Sequence, residues 1–123
     1  MKQKVGRSGN NSEKDNRSSE EALELIDKGM SFVKAKKYEE AIECYDLAFE
    51  TGSEKVLAQY NKGLVLITLG RYEESIACSD RLLKTDSKCA LAWQNKAIAL
   101  KHLGRDKEAE SCFAQAEKYK EVV

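Results

Sequence analysis

From about residue 22 onward, apolar residues recur at intervals of three and four, and the pattern then repeats itself. Leu25, Gly29 and Phe32 mark the stripe of an amphipathic helix ending near Ala35, and Lys36 and Lys37 make a turn. Ala41, Ile42, Tyr45, Ala48 and Phe49 mark one face of a second helix starting at Tyr38, which Gly52 is placed to end. The next stretch has Gly63 and Leu66, a turn at Gly70, then Ser75, Ile76, Leu82 and Leu83. The last has Trp93, Ala97 and Leu100, a turn at Gly104, then Ala109, Phe113 and Ala116. Each pair of helices occupies thirty-four residues. Numbered within its own unit, Gly29, Gly63 and Ala97 fall at position 8, and Lys28, Lys62 and Lys96 at position 7. Tyr38 and Tyr72 share position 17, and Ala41, Ser75 and Ala109 share position 20. Agreement of several independent columns on one register predicts three copies of a helix-turn-helix unit, 22–55, 56–89 and 90–123. Small residues at positions 8 and 20 predict close approach of the two helices in each pair.

The first twenty residues lack this pattern. Val5 is their only sizeable apolar residue after Met1, and Lys2, Lys4, Arg7, Lys14 and Arg17 stand against Glu13, Asp15 and Glu20. A segment of this kind cannot offset its ordering entropy by burial, so residues 1–20 are expected to be a disordered polar tail. Order is expected to begin near Ser18, with Glu21 three residues later in capping-box spacing, followed by a single folded region over 21–123.

Composition narrows the function classes. Forty-one percent hydrophobic and 34% charged residues suit a soluble, helix-rich chain. Lysine plus arginine balance aspartate plus glutamate at 21 each, which removes the electrostatic case for a nucleic-acid backbone or an anionic membrane as main partner. No apolar run approaches the roughly 18 residues needed to span a bilayer, and the polar N-terminus lacks the core of a signal peptide, so a cytoplasmic location is expected. Cys44, Cys78 and Cys112 recur at position 23, with Cys89 apart from them. Equivalent positions of stacked units lie beyond the separation of about 4.4–6.8 Å that a disulfide tolerates, so these cysteines read as small buried hydrophobes with reduced thiols. No C-x-x-C pair exists, the single histidine, His102, has no ligand partner at metal spacing, and no metal or other cofactor is expected.

In this register the units resemble tetratricopeptide (TPR) repeats from about Ala22 to Val123. The family's large residue at position 4, small at 8, large at 11, Gly at 15, aromatic at 17, small at 20, aromatic at 24 and Ala at 27 is met by Trp93, Gly63, Phe32, Gly104, Tyr72, Ala41, Phe113 and Ala48. The resemblance implies an all-α fold, a right-handed superhelical stack of three helix-turn-helix repeats with about six helices. There are departures. Position 32, usually proline, is Ser53, Ser87 and Glu121, and position 7, often leucine, is lysine in every copy, with the stem free to lie on the core edge while the ammonium stays in water. In the third copy Ile42 and Ile76 at position 21 give way to Glu110, and Phe49 and Leu83 at position 28 give way to Glu117. Unpaired carboxylates are costly to bury, and a terminal repeat needs a polar outer face, so three repeats are expected to complete the array.

The resemblance also implies a concave binding surface built from positions 2, 5, 9 and 12 of each first helix. Here those positions are Leu23, Ile26, Met30 and Val33, then Leu57, Tyr60, Leu64 and Ile67, then Leu91, Gln94, Ile98 and Lys101. All but Gln94 and Lys101 are apolar or aromatic, enough for a patch of about 400 Å². The family's carboxylate clamp keeps one element, Asn61. Ile26 and Met30 replace the first repeat's Lys and Asn, and Leu91 and Asn95 replace the third repeat's Lys and Arg, which disfavours an acidic chaperone tail held in that mode. The expected function is a protein-interaction scaffold taking an apolar peptide or amphipathic helix, with Tyr60 and Met30 as adaptable anchors and Lys101 and His102 at a polar end. Homodimerisation through the same strip is the alternative. Catalysis has the least support, since no nucleophile, base and orienting residue converge in spacing.

Overall fold

The computed structural model describes the backbone of residues 2–120, with side-chain surroundings from Ser18 onward. Six helices occur among the described residues: α1 (Lys2–Lys34), α2 (Tyr38–Glu50), α3 (Lys55–Thr68), α4 (Tyr72–Thr85), α5 (Ala90–His102) and α6 (Asp106–Tyr119). No strand occurs among those residues, and the helices follow one another as three helix-turn-helix pairs, an all-α helical repeat stack. Glu121 and the last two residues of the third copy lie outside the described residues. The chain divides into two compact units, residues 1–58 and 59–123, so the boundary falls inside α3 rather than at the start of a repeat.

The backbone of α1 is helical from Lys2, so Ser18 is an interior helical residue rather than a cap. Helical hydrogen bonds form within one segment and need no burial. Among the residues whose side chains are described, from Ser18 onward, the first buried one is Ala22.

Each repeat makes its internal turn in the same way. Lys36, Gly70 and Gly104, all at position 15, have φ of 62°, 76° and 78°. Their amides donate to the carbonyls of Val33, Ile67 and Lys101, while the amides of Lys37, Arg71 and Arg105 reach back five residues to Phe32, Leu66 and Leu100 at 2.8–2.9 Å. This pairing satisfies the last carbonyls of the first helix with one left-handed residue. Arg71 and Arg105 then start the second helix of their repeats and clamp Glu74 and Glu108 three residues on, each through two hydrogen bonds of 2.7–2.9 Å.

In the first unit, α1 buries Ala22, Ile26 and Gly29 along one stripe, facing α2, which buries Ala41, Ile42, Cys44, Tyr45 and Ala48. The Tyr45 ring, 1% exposed, lies directly over Gly29: a Cβ there would sit 2.5 Å from the ring. The second unit uses polar contacts between its helices. Ser75 of α4 donates to the Gly63 carbonyl of α3 at 3.0 Å, and Asn95 of α5 donates its side-chain amide to the Tyr60 carbonyl at 3.0 Å. Beyond them Ala97, Leu100, Ala109 and Cys112 form the α5–α6 core, with Ile76 and Trp93 packed against it, and the Trp93 indole donates to the Ser87 carbonyl at 2.8 Å. Small residues at positions 8 and 20 thus bring the paired helices together as expected. The position 7 lysine has a partner in the third repeat, where Lys96 reaches Asp80 of α4 at 2.7 Å.

Candidate protein-binding surface

Helix periodicity places the expected surface residues on the first helix of each pair, and packing decides which of them remain available. In the first unit Leu23 and Met30 are exposed and Val33 is half-buried. Ile26 is not part of a surface: it is 4% exposed. It lies four residues after Ala22 and three before Gly29, so helical geometry puts it on their buried stripe. Leu57, in the part of α3 that belongs to this unit, is exposed.

In the second unit Tyr60, Asn61, Leu64 and Ile67 are all half-buried on α3, open enough to touch a ligand and supported from behind by buried Val65 and Leu66. On α5, Leu91, Gln94 and Lys101 are exposed and Ile98 is half-buried. These four do not stand alone. With Phe113, Ala116 and Tyr119 of α6 they line two adjoining clefts of about 850 and 370 Å³ that meet at Phe113. The larger runs from Ala90, Leu91 and Gln94 across to Ala116, Glu117, Tyr119 and Lys120. The smaller holds Ile98, Lys101 and His102.

Phe113 is the residue that sequence reasoning misplaced. Position 24 reads as an interior aromatic, and Tyr45 and Ser79 at that position are 1% and 3% exposed, but Phe113 is 39% exposed. The available signal was the exchange of apolar residues for Glu110 and Glu117 one turn before it and one turn after it. Among the described residues α6 packs against α5, and no helix covers the face that carries this exchange and position 24. Sequence reading took the two carboxylates to make the face polar. The structure shows an aromatic ring open to solvent between them.

At its far end the cleft is built from charge and stacking. The His102 ring stacks on Tyr72 of α4, with centroids 4.8 Å apart and planes 7° off parallel, which fixes the imidazole beside Lys101. On the other side of α6, Cys112 is buried and its thiol is pushed up from the ordinary value by desolvation. Burial raises Cys44 in the same way. No disulfide joins the four cysteines, and no group of acidic, histidine or cysteine side chains among the described residues is arranged to hold a metal ion. No helix among the described residues is long and apolar enough to cross a membrane.

The family model for the tetratricopeptide repeat matches residues 26–80 and again 68–120. The chain belongs to the tetratricopeptide repeat family. It is a family of protein-interaction scaffolds, and the TPR register read from the sequence is the one the helices follow. Among solved structures the chain is similar to the second TPR of Spaghetti (RPAP3) bound to the HSP90 peptide SRMEEVD, at 24% identity over 94% of this chain and 99% of that one, with a TM-score of 0.77. It is also similar to the second TPR domain of human RPAP3 in complex with the HSP70 peptide SGPTIEEVD, at 26% identity over 84% and 86%, TM-score 0.73. A third is the Arabidopsis OM64 TPR domain, at 20% identity over 84% and 85%, TM-score 0.75. No functionally curated protein matches the chain significantly.

Proposed function

We propose that this TPR protein binds an apolar peptide or amphipathic helix of a partner protein on the first-helix surface, with the α5–α6 cleft as its strongest part. The observation that carries this reading is the grouping of large apolar side chains in a cleft, where Leu91 and Phe113 are exposed beside half-buried Ile98, Ala116 and Tyr119. Side chains of this size gain about 1.5–3 kcal/mol each on full burial, before the costs of ordering a partner. The complexes with HSP90 and HSP70 peptides support peptide binding as the mode. The residues here argue for a different ligand chemistry. Leu91 stands where the family's clamp has a lysine, and Asn95, at the arginine position, is buried with its amide already donated to Tyr60.

Titration of the isotope-labelled chain with a leucine-rich helical peptide tests the reading. Resonances of Leu64, Leu91, Ile98 and Phe113 are expected to move together, and Phe113→Ala is expected to weaken binding about tenfold or more. Phe113 is partly exposed, so the variant is expected to keep its fold. Shifts confined to Lys107, Ser111 and Cys112, which lie on the other side of α6, would reject the proposal.

A further inference from the structure

The internal repetition of the second unit shows what a face like that of α6 accepts. On α4, whose register matches α6 residue for residue, α5 packs across the outer face: Ser79 at position 24 and Leu82 at position 27 are buried, and Ile76 at position 21 packs into the α5–α6 core. The equivalent residues of α6 are Phe113, Ala116 and Glu110. Phe113 and Glu110 are exposed, and Ala116 is half-buried. Glu110, Phe113 and Glu117 stand at i−3, i and i+4, so they form one stripe with Ala114 between the carboxylates. An aromatic centre is thus flanked by two negative charges seven residues, or about 10.5 Å, apart along the helix.

The charges around this stripe are distributed by wall. Among the described residues Glu110 has no ion pair, and that of Glu117 is the exposed contact with Lys120 at 3.9 Å. Lys101 and His102 stand on α5 across the cleft, beyond Ile98. A helix lying over Phe113 therefore meets Glu110 and Glu117 on its α6 side, with Lys120 beside Glu117 at the end of the larger cleft, and basic groups on its α5 side.

From this arrangement we infer that the α5–α6 face takes an amphipathic helix from a partner protein, one whose apolar stripe covers Phe113 and Ala116 and whose α6-facing flank carries two basic residues about two turns apart. The inference rests on the peptide-binding reading above and assigns it an end of the surface, a ligand conformation and a charge pattern. A helix is chosen over an extended segment because a helix fills the matching face of α4. Basic residues are chosen because Glu110 and Glu117 replace the isoleucines and the Phe49–Leu83 pair found at the same positions of the other copies. A carboxylate left under an occupant without a countercharge would oppose binding.

Two probes test it on the full chain: a 14-residue helical peptide with leucines at i, i+3, i+4 and i+7 and two flanking lysines seven residues apart, and the same peptide with glutamates replacing the lysines. The lysine peptide is expected to bind about tenfold more tightly, moving the Phe113 and Ala116 resonances, with the ratio falling as salt is raised. In the double variant Glu110→Lys, Glu117→Lys the order of the two peptides is expected to reverse. Both positions are exposed, so the variant keeps its core. Equal affinities, or a preference that the double variant leaves unchanged, would overturn the inference. Peptides that shift Leu57 and Leu64 but leave Phe113 in place would overturn it while the broader peptide-binding reading stands. Failure of both peptides to bind would overturn both.

Discussion

Lys36 carries a backbone conformation that its own chemistry resists. At the same place in the other two repeats the residue is glycine, and all three share a positive φ and the same reach-back hydrogen bonds. A side chain in the left-handed region costs about 1–2 kcal/mol, part of which glycine returns through the larger entropy of its unfolded chain. Lys36→Gly is therefore expected to stabilise the protein by about 0.5–1 kcal/mol, seen as a higher urea midpoint at unchanged slope. Gly29 offers the opposite case. Its missing Cβ is the space the Tyr45 ring occupies, and the buried ring cannot retreat without disturbing α2. Gly29→Ala gains about 1 kcal/mol in helix propensity and loses more to overpacking. A net loss of about 1–2 kcal/mol is expected by the same denaturation measurement, and a midpoint equal to or above wild type would show that the ring moves freely.

Among the elements, α4 and α6 begin with the same device. Arg71 and Arg105 hold Glu74 and Glu108 in paired hydrogen bonds, and these bonds, ahead of the opposing desolvation and the direct charge attraction, hold both carboxyls below the ordinary carboxylate range. The folded state therefore binds their protons less readily than the unfolded state. Their contribution is complete above the unfolded value of about 4.3 and fades as pH falls through the lowered folded values. The double variant Arg71→Ala, Arg105→Ala is expected to be slightly less stable than wild type at pH 6 and low salt, with the difference shrinking as pH falls from 5 toward 2. A difference that persists unchanged at pH 2 would assign the arginines a packing role instead. Both pairs are solvent-exposed, so the effect is small at any pH.

For the whole molecule, the question is whether the open apolar cleft serves a partner or a second copy of the chain. Two copies pairing through Phe113 would bring Glu110 and Glu117 of each onto the same small face, which like-charge repulsion disfavours. A concentration series in sedimentation is therefore expected to show monomer. If a dimer forms and Phe113→Glu leaves it intact, the contact lies elsewhere on the surface. Dimerisation abolished by Phe113→Glu would instead make this cleft the site of self-association.

Much of this was legible in the sequence, because a thirty-four-residue period in apolar, small and glycine positions is local information. It determined three helix pairs, the turns at Lys36, Gly70 and Gly104, the close approach at positions 8 and 20, and the family. The surface was less legible. Position along a first helix marked Leu57, Tyr60, Leu64, Leu91 and Ile98 as candidates, yet the same rule included Ile26, which α1 turns into its buried stripe. Phe113 was missed because exposure at position 24 depends on whether another helix covers it. Nothing within α6 records that beyond its two substituted glutamates. Local periodicity fixes which residues share a helix face, but which face meets solvent is set by the neighbouring helices. Only the tertiary structure could therefore put Phe113 at the centre of the α5–α6 cleft.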